Sequence, residues 1–144
     1  MNLIEKIDTR SAKIGVIGLG YVGLPLAMEF VKAGYNVTGI DIDENKIKSI
    51  NNGENFINDV NDADLKKATK DGLLRGTTDF SIVKRLDAIS ICVPTPLNKE
   101  KNPDISHIVS VMEKIKNYLH PNMIIILEST TYPGSTRELI LPYI

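Results

Sequence analysis

Residues 13–25 read KIGVIGLGYVGLP. A β-branched run breaks into Gly18, Gly20 and Gly23, and Pro25 follows two residues after the last of them. Lys13 to Gly18 reads as a short buried strand. From Tyr21 to Lys32 the pattern turns helical, because Val22, Leu26 and Phe30, with Ala27 and Val31, share one face. Pro25 falls in the first turn of that helix, where backbone N–H groups have no intrahelical acceptor to lose. Gly34 supplies the stop. A second strand, Asn36 to Asp41, then ends in an acid 18 residues after Gly23. A bare G-x-G-x-x-G is weak evidence, but strand, glycine turn, helix, strand and acid in this order make the fingerprint of a dinucleotide cradle. Gly18 allows the tight turn out of the strand, Gly20 lets a pyrophosphate approach the backbone, and Gly23 lets the helix pack close to the sheet. The helix N-terminus offers unpaired N–H groups and partial positive charge to the phosphates. Asp41 is placed to accept hydrogen bonds from the adenosine ribose. Its charge, with Asp43 and Glu44 beside it, repels a 2′-phosphate and favours NAD over NADP. The plainer alternative is a tight β–α turn with Asp41 as a strand-ending cap.

Beyond this unit the chain keeps alternating. Helices are expected over about 43–52 and 62–71, a weak strand over 74–78, a short helix over 79–85 and a clear strand over 88–93. A proline-rich loop, VPTPLNKEKNPD, precedes a helix from about Asp104 to Tyr118, which His120-Pro121 ends. The last strand is Met123 to Leu127, and STTYPGS turns into a final helix, where Ser135 and Glu138 fit a capping box. Strands alternating with helices predict an α/β fold, a doubly wound parallel sheet of the Rossmann type. Residues 1–12 read as an N-terminal extension and 13–144 as the nucleotide-binding domain. The chain stops at Leu141-Pro142-Tyr143-Ile144, still apolar, as expected of an N-terminal piece of a larger enzyme.

Composition narrows the classes. The 144 residues are 42% apolar and 24% charged, ordinary for one globular domain with a core. Lys and Arg (17) balance Asp and Glu (18), and no basic block points to a nucleic acid. The longest strictly apolar stretch, Met123 to Leu127, is far below the roughly 20 residues that span a bilayer. The start, MNLIEKIDTR, lacks the layout of a signal peptide. A single cysteine, Cys92, excludes an internal disulfide and fits a reducing compartment, so a cytoplasmic location is expected. No metal site is expected.

In an open α/β sheet, ligands bind outside the carboxyl ends of the strands. Two further strands end there in loops rich in hydroxyls: Val93-Pro94-Thr95-Pro96, and Glu128-Ser129-Thr130-Thr131-Tyr132-Pro133-Gly134. Each alone reads equally well as turn and cap chemistry. With the glycine loop they place three polar loops on one edge.

GLGYVGLP, DIDENK, CVPTPLN with PDIS, and ESTTYPGST resemble, in order and spacing, the UDP-glucose/GDP-mannose dehydrogenase family, from about Lys13 to the chain end. GENFI, CVPTPL and ESTTYPGST look most like the UDP-N-acetylglucosamine 6-dehydrogenase branch, with the branches acting on UDP-glucose and UDP-N-acetylmannosamine close by. The resemblance implies oxidation of C6 of a nucleotide sugar from alcohol to carboxylate in two steps, using two NAD, by an enzyme that is typically dimeric and serves polysaccharide biosynthesis. Carried onto this chain, it implies that Gly20, Tyr21 and Val22 face the pyrophosphate and that Asp41 and Lys46 face the adenosine ribose, although Lys46 also reads as a solvated helix charge. It places Thr95 in the cofactor site. It sets Thr130 between nicotinamide and substrate, placing a water or polarising the reacting oxygen. The family's catalytic cysteine, and the lysine, asparagine, aspartate and glutamate around it, would lie beyond residue 144, with a central helix and a sugar-nucleotide domain. Cys92, inside an apolar segment, reads as a small buried residue. His107 and His120 read as structural, Glu128 equally as site or solvent-facing residue, and the clusters at Asp59–Asp64 and Lys99–Lys101 as solvated surface. The chain alone is therefore expected to bind NAD and catalyse nothing. Rival readings are a two-domain dehydrogenase of the 6-phosphogluconate or hydroxyacyl-CoA type and a nucleotide-sensing regulatory domain of the kind found on potassium channels.

Overall fold

The computed structural model describes residues 1–144. Five parallel strands, β1 (Lys13–Ile17), β2 (Asn36–Ile40), β3 (Leu74–Thr77), β4 (Ala88–Ile91) and β5 (Ile124–Leu127), form one sheet in the order β3-β2-β1-β4-β5. This is the doubly wound order, with the topological switch point between β1 and β4. The central strands β1 and β4 are buried on both faces, Lys13 apart.

Period-two alternation sends side chains to two cores. On one face Val16, Val37 and Ala88 meet α2 (Gly23–Lys32), α3 (Glu44–Asn51) and α4 (Asp62–Lys70), through Leu24, Met28, Ile50 and Leu65. On the other, Ile17, Ile40, Ile89 and Ile91 meet α5 (Ser106–Ile115) and the 3₁₀ turn Phe80–Arg85, through Ile108, Met112, Ile115 and Val83. Each such fully buried aliphatic side chain is worth about 1.5–3 kcal/mol relative to exposure. At the sheet edge β5 departs from this plan. Ile124 and Ile126, in register with Ala88 and Ser90, are exposed because no helix covers that end of the first face.

Residues 1–12 are not featureless. Leu3–Asp8 form α1, started by a capping box in which Asn2 accepts from the Glu5 N–H and Glu5 accepts from the Asn2 N–H. Lys6 pairs with Asp87 at 2.7 Å, and Asp87 also accepts from the Lys13 N–H, so α1 is tied to the starts of β1 and β4. The capping box expected of Ser135 and Glu138 is corrected. The N-cap of α6 (Ser135–Leu139) is Gly134, at φ 86°, and no side chain caps the helix. Ser135 lies inside the helix, buried, with its hydroxyl turned to Thr131. The helix expected from Asp104 begins at Ser106, after Asp104 has accepted the Ser106 N–H in a turn.

Candidate cofactor site

Because all five strands run the same way, the loops after β1, β2, β4 and β5 meet at one edge, around a cleft of about 580 Å³. The glycine loop forms its floor. Gly18 sits at φ +93°, and a Cβ there would lie 2.8 Å from the Cys92 carbonyl group. Gly23 is the closest packing point. An added Cβ would fall 1.6 Å from the Gly18 carbonyl oxygen, so any side chain there would separate α2 from the loop. Gly20 differs from both, since nothing lies within 4 Å of the position its Cβ would take. That space is cleft. The N–H groups of Gly20, Tyr21 and Val22 have no protein acceptor, and Val22, the N-cap of α2, gives the helix no side-chain hydrogen bond. Unpaired amides at a helix start beside open space fit a phosphate group.

Asp41 does more than end β2. Its Oδ2 accepts the Leu19 N–H at 2.8 Å, and its Oδ1 accepts the Asp43 N–H at 2.9 Å. The carboxylate thus fastens the glycine loop to the β2 end while still lining the cleft. Asp43 caps α3 by accepting from Asn45 and Lys46 N–H groups, which sets Lys46 in the first turn, facing the same cleft.

The opposite wall comes from the loops after β4 and β5. Val93, Pro94 and Thr95 face Glu128, Ser129 and Thr130 across it. The Thr95 hydroxyl donates to the Thr130 carbonyl oxygen, and the Ser129 hydroxyl donates to the Val93 carbonyl oxygen at 2.8 Å. Cys92, just past the end of β4, closes the floor. Burial pushes its thiol up to about 11, with the nearby Glu128 charge adding to the rise, so near neutral pH it is a thiol and not a thiolate nucleophile. Among the sequence-derived candidates, Gly18, Gly20, Tyr21, Val22, Asp41, Lys46, Thr95 and Thr130 all line the cleft. Gly23 does not line it and acts beneath it, as packing. His120 lies away from it, with Nε2 2.8 Å from the Leu86 carbonyl oxygen.

Two contributors escaped the sequence reading. Phe56 and Ile57, from GENFI, reach the cleft although their segment precedes α4. A second cavity of about 270 Å³ joins the first through Gly18, Asp41, Lys46, Val93 and Pro94, and runs between Ile42 and α5. Ile42, 68% exposed, forms an apolar shelf there. No sequence signal marks a shelf built from a strand end and a helix so far apart in the chain.

Residues 12–144 match the family described as the UDP-glucose/GDP-mannose dehydrogenase family, NAD binding domain. The chain belongs to that family. Its cofactor is NAD, and the unpaired loop amides, the open space at Gly20 and the carboxylate at Asp41 fit it. UDP-N-acetyl-D-glucosamine 6-dehydrogenase of Pseudomonas aeruginosa is 38% identical over 133 residues, covering 92% of this chain and 31% of that protein. UDP-N-acetyl-D-mannosamine dehydrogenase of Methanococcus aeolicus is 39% identical over 143 residues, covering 96% and 32%. The crystal structure of a ternary complex of GDP-mannose dehydrogenase from Pseudomonas aeruginosa superposes with a TM-score of 0.83 at 33% identity, over 90% of this chain and 31% of that one. The chain thus spans about three tenths of the length of these relatives. No helix is long and apolar enough to cross a membrane.

Proposed function

We propose that this domain serves a nucleotide-sugar 6-dehydrogenase, with UDP-N-acetylglucosamine as the substrate favoured over UDP-N-acetylmannosamine and UDP-glucose. The observation that carries the reading is the meeting of the glycine loop with the 93–96 and 128–131 loops around one cleft. A nucleotide-sensing domain needs only the first. The phrases GENFI, CVPTPL and ESTTYPGST support the N-acetylglucosamine branch, and relatives named for both N-acetylated sugars stand at similar identity.

In this reading Gly20, Tyr21 and Val22 present their N–H groups to the pyrophosphate. Asp41 and Lys46 hold the adenosine ribose, and Thr95 lines the nicotinamide side. Thr130, whose hydroxyl has no partner in the protein, orients the oxygen or water at the reacting carbon. NAD supplies the hydride acceptor. Overall, C6 loses two hydrides to two NAD in turn, one water contributes the second carboxylate oxygen, and three protons are released. Residues 1–144 hold no activated nucleophile, so they bind NAD without turning over. The whole protein acts in the cytoplasm as a dimer, and a membrane or a nucleic acid is not a partner.

The test uses the whole protein with NAD and each UDP-sugar, counting NADH per sugar consumed. Two NADH per UDP-N-acetylglucosamine, with little from the other sugars, is the expected result. Preference for UDP-N-acetylmannosamine or UDP-glucose keeps the reaction and overturns the branch. No NADH from any nucleotide sugar overturns the function.

A further inference from the structure

The loops after β4 and β5 pose a problem of connection. The parallel ladder between these strands ends when the Glu128 and Ser129 N–H groups both reach the Ile91 carbonyl oxygen, at 2.9 and 3.1 Å. Beyond Ile91 the first loop contains Pro94 and Pro96, which have no N–H to donate, and no backbone hydrogen bond joins residues 93–96 to residues 128–134. Two side chains take over. Ser129 donates its hydroxyl to the Val93 carbonyl oxygen at 2.8 Å, and Thr95 donates its hydroxyl to the Thr130 carbonyl oxygen. Each loop therefore gives one hydroxyl to a carbonyl of the other, and the two bonds cross either side of Pro94. Thr131 turns to Ser135, which leaves Thr130 as the hydroxyl of this wall with no protein partner.

We infer that Ser129 and Thr95 are positioning residues: by stapling the two loops together they set the Thr130 hydroxyl and the wall against which the nicotinamide end of NAD rests. The inference rests on the reading of these loops as the nicotinamide side. It assigns to the Thr95 hydroxyl a partner on the protein and not on the cofactor, and it gives Ser129 a role that the sequence alone did not. A staple made of hydroxyls, and not of backbone ladder, is local to the mouth of the cleft. Its loss leaves the glycine loop, Asp41 and the adenosine half of the site as they are.

The experiment is a comparison of NAD and ADP affinities by calorimetry on this chain. ADP occupies the adenosine and phosphate half alone, so the ratio of ADP to NAD dissociation constants reports what the nicotinamide end gains. Ser129→Ala and Thr95→Val lower that ratio by about three- to tenfold, the range set by one net hydrogen bond, with ADP affinity within about twofold of wild type. Thr95→Ser, which keeps the hydroxyl, restores the ratio. Thr95→Val is close to isosteric at a half-buried position, so it carries the test even if Ser129→Ala folds poorly. An unchanged ratio in Thr95→Val, or an equal fall in Thr95→Ser, overturns the staple. A wild-type ratio of one overturns the reading of these loops as the nicotinamide wall, and the staple's role with it.

Discussion

Replacing Asp41 by asparagine is the most informative single change in the cleft, because it keeps the shape and removes one acceptor. Both carboxylate oxygens are in use, Oδ2 on the Leu19 N–H at 2.8 Å and Oδ1 on the Asp43 N–H at 2.9 Å. An asparagine has one oxygen. Whichever way the amide turns, one of these N–H groups faces an NH₂ donor. If the Leu19 amide loses its partner, a donor beside a fully buried side chain is left unsatisfied, at a cost of about 1–3 kcal/mol. With an unfolding entropy of about 2.1 cal/mol/K per residue, a chain of 144 residues then melts about 3–10 °C lower. Binding suffers separately. Loss of one charge-assisted hydrogen bond to a ribose hydroxyl is worth about 1.5–3 kcal/mol, or about 10- to 150-fold in NAD affinity. The same anchoring makes a simple cofactor switch fail. Asp41→Asn removes the charge that repels a 2′-phosphate, yet NADP affinity stays poor because the glycine loop has lost its tie. The assays are thermal unfolding and calorimetric titration with NAD and NADP. Wild-type melting together with wild-type NAD affinity in Asp41→Asn would refute the reasoning.

Three further outcomes follow from distances and burial. Gly20→Ala folds normally but loses NAD affinity by at least about tenfold, since its Cβ enters only the cleft, whereas Gly23→Ala is destabilised because its Cβ meets the Gly18 carbonyl 1.6 Å away; unfolding and titration of the pair separate the two roles. Cys92, with a thiol pushed up to about 11, reacts slowly with iodoacetamide at pH 7.5, speeds up as pH rises toward that value, and is shielded further by NAD. Burial acts to raise the Asp87 carboxyl, but the Lys13 N–H and the Lys6 ammonium outweigh it and hold the group below its ordinary 3.8. Its stabilisation is therefore complete above pH 3.8 and lost as pH falls below that, so the wild-type melting point drops more steeply between pH 4 and pH 2.5 than that of Asp87→Asn.

Much of the architecture was legible because the signals were redundant. For β1, the glycine turn and α2, an apolar run, three glycines, a first-turn proline and a terminal acid all pointed to one arrangement, and the strands fell within one or two residues of expectation. The α1 helix carries its sign openly, an Asn2-x-x-Glu5 box enclosing the apolar pair Leu3-Ile4, within the stretch that reads as an N-terminal extension. Ser135 and Glu138 showed the same spacing and misled, because Gly134 in a left-handed conformation starts the helix and the Ser135 hydroxyl has a nearer partner in Thr131. The tie from Asp41 to Leu19 was beyond reading, since a backbone N–H leaves no mark in the sequence. Phe56 and the Ile42 shelf were hidden for another reason. Their place in the cleft depends on where the β2–β3 connection and α5 come to rest, which is a tertiary fact.

The central claim is that residues 1–144 hold NAD in the cleft between the glycine loop and the 93–96 and 128–131 loops. Its most direct test is a titration of this chain with NAD, NADP and AMP, followed by chemical-shift mapping of the bound state. The account predicts one NAD per chain, NADP at least about tenfold weaker because its 2′-phosphate meets Asp41, and shifts at Gly20–Val22, Asp41 and Thr130 together. AMP binding as tightly as NAD, with no shift at Thr130, would contradict it and leave only a nucleotide-sensing domain.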